Sequence, residues 1–163
     1  MKISDLYKIF NNHPNVTTDT RNIKENSIFF ALKGDNFNGN KFARKAIKDG
    51  CHYAIIDQAE FQLNEKYILV DDVLKCLQNL ATYHRDQIMI PVIGITGTNG
   101  KTTSKELIYS CLSTELNTLA TDGNYNNHIG VPLTLLRANK EHDIAIIEMG
   151  ANHENEIKYL CEI

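Results

Sequence analysis

The chain has 163 residues, 42% of them hydrophobic, enough apolar material for one ordinary domain or two small ones with packed cores. A formal net charge of -3 with scattered Lys and Arg excludes the basic footprint of a duplex nucleic-acid binder, so any bound anion has to be held locally. Cys51, Cys76, Cys111 and Cys161 are far apart and form no C-x-x-C pair, which argues against a zinc site or a disulfide framework and for free thiols in a reducing cytoplasm. No stretch has the length of a membrane span, and the N-terminus lacks a signal-type apolar core.

In chain order, Ser4 is placed to cap a short helix over 5–10, and "SIFFAL" (27–32) reads as a strand. Asn40 is placed to cap a helix over 41–49 that Gly50 ends, and strands follow at 53–57 and 67–70. Across 72–86, Val73, Leu74, Leu77, Leu80 and Ala81 fall on one helical face. Pro91 disfavours helix just before it, so a domain boundary is expected near residue 88, giving units 1–87 and 88–163.

Beyond that joint the pattern is strand 91–95, glycine turn, helix 101–114, strand 116–121, loop, helix 130–137, strand 143–148 and a helix from about 154. The apolar runs "PVIGI" and "IAII" suit a parallel sheet, so the fold class is α/β: a small mixed N-terminal unit, then part of a doubly wound parallel sheet with a phosphate loop. The last helix, carrying Ile157, Leu160 and Cys161 on one side, stops without a terminating signal, and three strands make a small sheet; the expectation is an N-terminal fragment of a longer protein.

The turn "GITGTNGKTT" (94–103) carries most of the chemistry. Gly97 and Gly100 permit positive φ and close approach, so the amides of 97–102 can turn inward as an anion nest at a helix N-terminus. Lys101 adds a cation for the outer phosphates and Thr102 a hydroxyl for a metal. The strict G-x-x-x-x-G-K-[ST] pattern fails, because Ile95 stands where it needs glycine, yet strand, turn and helix come in the required order. A plain strand-to-helix turn with a solvated lysine would look the same in a bare G-K-T triplet. A second feature favours phosphate: the strand "DIAII" ends in Glu148 at the same sheet edge, where a carboxylate can hold Mg²⁺ opposite Thr102. The inferred ligand is Mg²⁺–ATP.

"GITGTNGKTT", "GNYNNHIGVPLTLL" (123–136) and "EMGANHENEI" (148–157), in this order and spacing, resemble the Mur ligases. Upstream, "TDTRNIKENSIFFALKGDNFNGNKF" (18–42) resembles the domain with which those enzymes bind the UDP end of their substrate. Two departures stand out: Asn38-Gly39-Asn40 where the family has Asp-Gly-His, and Asn155-Glu156-Ile157 where it has Gly-Glu-Ile.

The resemblance implies a cytoplasmic, ATP- and Mg²⁺-dependent enzyme of peptidoglycan precursor synthesis that joins D-alanyl-D-alanine to UDP-N-acetylmuramoyl-tripeptide through an acyl phosphate. It implies ATP contacts at Gly97, Thr98, Asn99, Gly100, Lys101, Thr102 and Thr103, metal contacts at Thr102 and Glu148, and catalytic roles for Lys101 and Glu148. Asp19, Thr20, Arg21, Lys33 and Gly34 would serve the UDP substrate, with Asn126, Asn127 and His128 orienting substrate or the metal's water shell. His153 near Glu148 has the chemistry of a base, but a histidine at a helix N-terminus is more often solvated. A monomer is expected, without nucleic-acid or membrane partners, and the remaining central-domain strands and the dipeptide-receiving domain are missing, so ligation by this chain alone is not. Two alternatives stay open: another ligase of the superfamily, adding an earlier peptide residue or acting on folate, and a non-catalytic nucleotide-binding module.

Overall fold

After its serine the stretch Ser27-Ile28-Phe29-Phe30 is apolar without alternation, and a strand of that kind has to be covered on both faces. In the computed structural model, which describes residues 1–21 and 23–163, all four positions are buried. Asn22, inside the stretch 18–42 quoted above, lies outside the described residues.

The chain divides into two units, Met1–Leu80 and Ala81–Ile163. In the first, α1 (Ile3–Asn12) precedes β1 (Val16–Thr17) and β2 (Ser27–Phe30). A two-stranded antiparallel hairpin of β3 (Lys33–Gly34) and β4 (Phe37–Asn38) leads through a 3-10 turn (Gly39–Phe42) into α2 (Ala43–Lys48). Then come β5 (Cys51–Ile56), β6 (Tyr67–Leu69) and the start of α3 (Val73–Ile88). The main sheet is parallel throughout, in the order β1-β2-β5-β6.

Phe29, Ala31, Ala54 and Ile56 form one cluster with Ala43 and Ala46 of α2. The intervening Ile28, Phe30 and Ile55 point to the opposite face and are equally buried. Each such side chain contributes about 1.5–3 kcal/mol. The stripe expected on 72–86 is present: Val73, Leu77, Leu80 and Ala81 are all buried.

Two expected caps are corrected. Helix α1 begins at Ile3, with Lys2 as an extended N-cap that makes no side-chain bond, so Ser4 lies inside the helix. Asn38, not Asn40, caps the 3-10 turn, its Oδ1 accepting from the Asn40 amide at 3.0 Å. Asn40 is instead buried, donating through Nδ2 to Asp57 Oδ1 (2.8 Å) while its Oδ1 accepts from the Asp57 amide (3.1 Å). A cap needs a side chain beside the free amides of the first turn, and Asn40 lies two residues past the cap of the 3-10 turn and two before that of α2.

The second unit holds the rest of α3, then β7 (Val92–Ile95), α4 (Lys101–Leu112), β8 (Thr118–Ala120), α5 (Gly130–Leu135), β9 (Ile144–Glu148) and α6 (Glu156–Cys161). Its sheet is parallel in the order β7-β9-β8, with Ile146 and Ile147 of the central strand buried. Both flanking strands are sheet edges; on β7, Val92 is 41% exposed. Among the described residues no helix is long and apolar enough to cross a membrane.

His84, on the part of α3 in this unit, is buried with Nε2 2.8 Å from the Ala138 carbonyl. Desolvation holds its pKa below the ordinary value of 6.5, the bond to Ala138 opposing only part of that. A histidine whose folded pKa lies under its unfolded one stabilises in full above the unfolded value, and loses that contribution as pH falls below it. The second unit should therefore melt at a lower temperature at pH 5 than at pH 7, and His84→Gln should flatten that slope in a thermal-denaturation pH series.

Candidate nucleotide and substrate sites

Ile95 pairs with Glu148 across β7 and β9, so the phosphate-type turn and the acidic strand end leave the sheet side by side. The Met149 amide donating to the Ile95 carbonyl at 2.8 Å continues the pairing one residue further. After Ile95 the chain turns through Gly97 (φ +151°) and Gly100 (φ +75°), both in backbone conformations that L side chains rarely adopt. Gly100 is the left-handed N-cap of α4, and its carbonyl accepts the first helical bond from Ser104 at 2.8 Å. The amides of the first turn, over Lys101, Thr102 and Thr103, have no intrahelical acceptor and lie at the positive end of the helix dipole. Lys101 folds back over the turn, Nζ donating to the Gly97 carbonyl at 2.7 Å.

Glu148 is 1% exposed. Its amide donates to Thr121 Oγ1 at 2.9 Å, and its Oε1 accepts from Asn126 Nδ2 at 2.9 Å. Its Oε2 is buried without a hydrogen-bond partner. An orphaned carboxylate oxygen is costly to bury and suits a cation.

A cavity of about 430 Å³ is lined by Lys101, Asn126, Asn127, His128, Gly150 and Asn152, among others. Thus the predicted Lys101, Asn126, Asn127 and His128 share one cavity, with Asn126 linking it to Glu148. Thr102 is exposed and is not among its lining residues. Asn127 has a structural task as well, its Oδ1 accepting from the amides of Ile129 (3.0 Å) and Gly130 (2.9 Å) at the entry to α5.

Glu156 also lines this cavity and accepts from the amides of Asn152 (2.6 Å) and His153 (3.1 Å). Those bonds hold its carboxyl below the usual range, with smaller contributions from the His153 and His128 charges. The direct bond from His153 to Glu156 is made by its backbone amide.

The donor set fits Mg²⁺ in one way only. Among the described residues no group of three or more His, Cys, Asp or Glu could enclose a metal. Mg²⁺, however, is commonly held by one or two carboxylates together with phosphate oxygens and waters, and Glu148 Oε2 is a free oxygen of that kind.

In the first unit a cavity of about 450 Å³ is lined by Thr18, Asp19, Thr20, Arg21, Phe29, Phe37 and Phe42. Arg21 Nε donates to Asp19 Oδ1 (3.0 Å) and Oδ2 (2.9 Å), and the Arg21 amide donates to Oδ1 (2.9 Å). Those bonds hold the Asp19 carboxyl below its ordinary range.

Lys33 and Gly34 do not line this cavity; they form β3, and Lys33 Nζ pairs with the buried Asp57 at 2.9 Å. Phe37 and Phe42 are the residues that sequence reasoning missed. Both are exposed, stacked with ring centroids 5.3 Å apart and planes at 15°. Two phenylalanines flanking the polar run "NGNK" were the available signal, since an exposed aromatic pair rarely stabilises a monomer.

Residues 95–163 match the Mur ligase middle domain, and residues 14–85 match the domain described as Mur ligase family, catalytic domain. Relatives include the UDP-N-acetylmuramoyl-tripeptide–D-alanyl-D-alanine ligases of Bacillus subtilis (40% identical over 150 residues) and Escherichia coli (42% over 148). Each alignment covers 91% of this chain, against 33% of the Bacillus protein and 32% of the Escherichia protein. Among solved structures, the UDP-N-acetylmuramoylalanyl-D-glutamyl-2,6-diaminopimelate–D-alanyl-D-alanyl ligase of Acinetobacter baumannii superposes with TM-score 0.81 at 39% identity, covering 90% of this chain and 33% of that one. The MurF ligase of Thermotoga maritima in complex with ADP gives TM-score 0.82 at 30% identity over 99% of this chain and 36% of that one. The chain thus spans about a third of the length of the relatives it matches. With the Asp19–Arg21 cavity inside the first matched segment, and the glycine turn and Glu148 inside the second, the chain belongs to the Mur ligase family.

Proposed function

We propose that this chain carries the UDP-substrate unit (1–87) and the first part of the ATP-binding unit (88–163) of a cytoplasmic ligase that adds D-alanyl-D-alanine to UDP-N-acetylmuramoyl-tripeptide. The observation that carries the proposal is the meeting of Lys101, the Asn126 loop and the segment just after the strand bearing Glu148 around one cavity, with Asn126 bonded to Glu148 itself. The names of the relatives support the substrates, and the ADP complex of the Thermotoga enzyme supports the nucleotide.

A carboxylate is a poor electrophile, and phosphorylation by ATP turns it into an acyl phosphate that an amine can attack. In that reaction the amides from Gly97 to Thr103 hold the β-phosphate. Lys101 exchanges the Gly97 carbonyl for a γ-phosphoryl oxygen, a charge-assisted bond that strengthens as charge develops. Mg²⁺, when bound, neutralises phosphate charge, and Glu148 with the Thr102 hydroxyl would hold it. Asn126 fixes the Glu148 rotamer, while Asn127 and His128 face the substrate side of the cavity. In the first unit Arg21 passes from Asp19 to the diphosphate, and the Phe37–Phe42 pair offers an apolar face to the uracil.

Calorimetric titration with ADP and Mg²⁺ tests the nucleotide half of the proposal. The chain should release heat on binding, and Lys101→Met should weaken binding about tenfold, the low end for a hydrogen bond to a charged group, with an unchanged melting temperature. No heat up to the solubility limit of the nucleotide would overturn the reading.

A further inference from the structure

Among the described residues Lys105 is the one buried lysine, at 2% exposure. It sits four positions beyond Lys101, one helical turn along α4, and nothing in the nucleotide chemistry above uses it. A lysine is seldom fully buried unless its Nζ is paired. Here Nζ donates to the Thr121 carbonyl at 2.6 Å and lies 2.9 Å from Oε1 of the exposed Glu106.

Thr121 is where that bond gains meaning. It follows β8 directly, its amide donating to the Ile146 carbonyl at 3.0 Å, so its backbone is pinned to the central strand. Its Oγ1 accepts the Glu148 amide at 2.9 Å. Glu148 is held in turn through Oε1 by Asn126, whose carbonyl accepts from Gly150 at 2.8 Å. A continuous buried series therefore runs from α4 through Lys105 and Thr121 to the carboxylate with the orphaned Oε2.

We infer that Lys105 is a positioning residue for the nucleotide site: by tying α4 to Thr121, it fixes where Glu148 stands relative to the turn that bears Lys101. The inference rests on the nucleotide reading above, but its structural half is independent of any ligand. Helix α4 carries the phosphate turn at its N-terminus and β9 carries the carboxylate at its C-terminus, and a cation shared between turn-bound phosphate and Glu148 tolerates little change in their separation. The stem of Lys105 packs as an apolar chain while Nζ supplies the link, so an apolar residue of equal length removes the link and keeps the packing.

The test uses this chain with Lys105→Met, and Thr121→Val as an isosteric break at the other bond of the series. Two readouts are taken: amide hydrogen exchange at Glu148 and Gly150, and the factor by which Mg²⁺ tightens ADP binding. In both variants protection of the Glu148 amide should fall about tenfold or more, while amides of β2 and β5 keep theirs. The tightening by Mg²⁺ should shrink about tenfold, with ADP alone binding as in the parent chain.

A folded Lys105→Met whose Glu148 protection and Mg²⁺ response both match the parent overturns the inference. If Lys105→Met fails to fold, Lys105→Leu decides by the same criteria, since it too removes the bond to the Thr121 carbonyl and leaves the Glu148 amide its own acceptor. Should the parent chain bind no ADP, the nucleotide reading falls separately, and the exchange result still decides the link: lost protection supports it and unchanged protection overturns it.

Discussion

Glu148→Gln is expected to abolish the strengthening of ADP binding by Mg²⁺, a loss of about 100-fold, while leaving the second unit as stable as before or more so. The two halves of this expectation share one cause. Glu148 is buried with Oε1 bound to Asn126 and Oε2 bound to nothing, an arrangement that disfavours folding and favours a cation. Glutamine keeps the carbonyl oxygen that Asn126 addresses and replaces the ionised group with a neutral amide that is far cheaper to bury. The folded state thereby loses a buried carboxylate with an unpartnered oxygen, and the site loses the carboxylate bonded to Asn126. Calorimetric titration of ADP with and without Mg²⁺, beside a thermal melt, measures both. A glutamine variant that kept its Mg²⁺ response would remove Glu148 from the metal site.

Gly130→Ala should be among the most damaging single-methyl changes at the described residues, although the backbone there is not in a conformation reserved for glycine. A Cβ at 130 would stand 2.3 Å from the Tyr125 carbonyl carbon and 2.4 Å from its Cα, and the obstacle is backbone, which cannot rotate aside. The loop from Tyr125 to Gly130 would have to open. That loop holds Asn126 against Glu148, and it seats α5 through the Asn127 bond to the Gly130 amide.

The expected cost is about 3 kcal/mol or more, which lowers the melting temperature of a unit this size by over about 10 °C and removes ADP binding with it. Gly123→Ala is the matched control. Its φ of +49° costs alanine about 1–2 kcal/mol, but no atom lies within 4 Å of the added methyl. Thermal denaturation of both variants should therefore rank Gly130→Ala well below Gly123→Ala; equal losses would show that the loop is plastic.

Regular structure was legible wherever a period or a punctuating residue marked it. The α3 stripe, the strands at 53–57 and 143–148 and the glycine turn ending in Lys101 all stand within a few residues of their expected places. Strand β1 and the β3–β4 hairpin escaped notice because two residues cannot express an alternation. The caps at Ser4 and Asn40 failed for a different reason: residue type gives the ability to cap, while the start of the helix is decided by packing of Leu6 and Phe10 in one case and by the Asn40–Asp57 pair in the other.

The candidate site divides along the same line. Lys101, Glu148 and Asn126 could be placed because strand ends and turns are local facts. Lys33 could not, since its partner Asp57 lies 24 positions away, and neither could Lys105, whose burial depends on Thr121 arriving from another strand. Asp57 was likewise invisible in a sequence that gives it an ordinary neighbourhood, whereas Phe37 and Phe42 left one signal, two aromatics flanking a polar run.

Among the described residues strand β7 pairs with β9 alone, and Val92 is open to water. The outer edge of such a strand is a template for strand addition, and Pro91 just before it acts as a gatekeeper. Monodispersity of concentrated preparations will thus hinge on that rim, and a lysine at position 92 is the simplest way to blunt it.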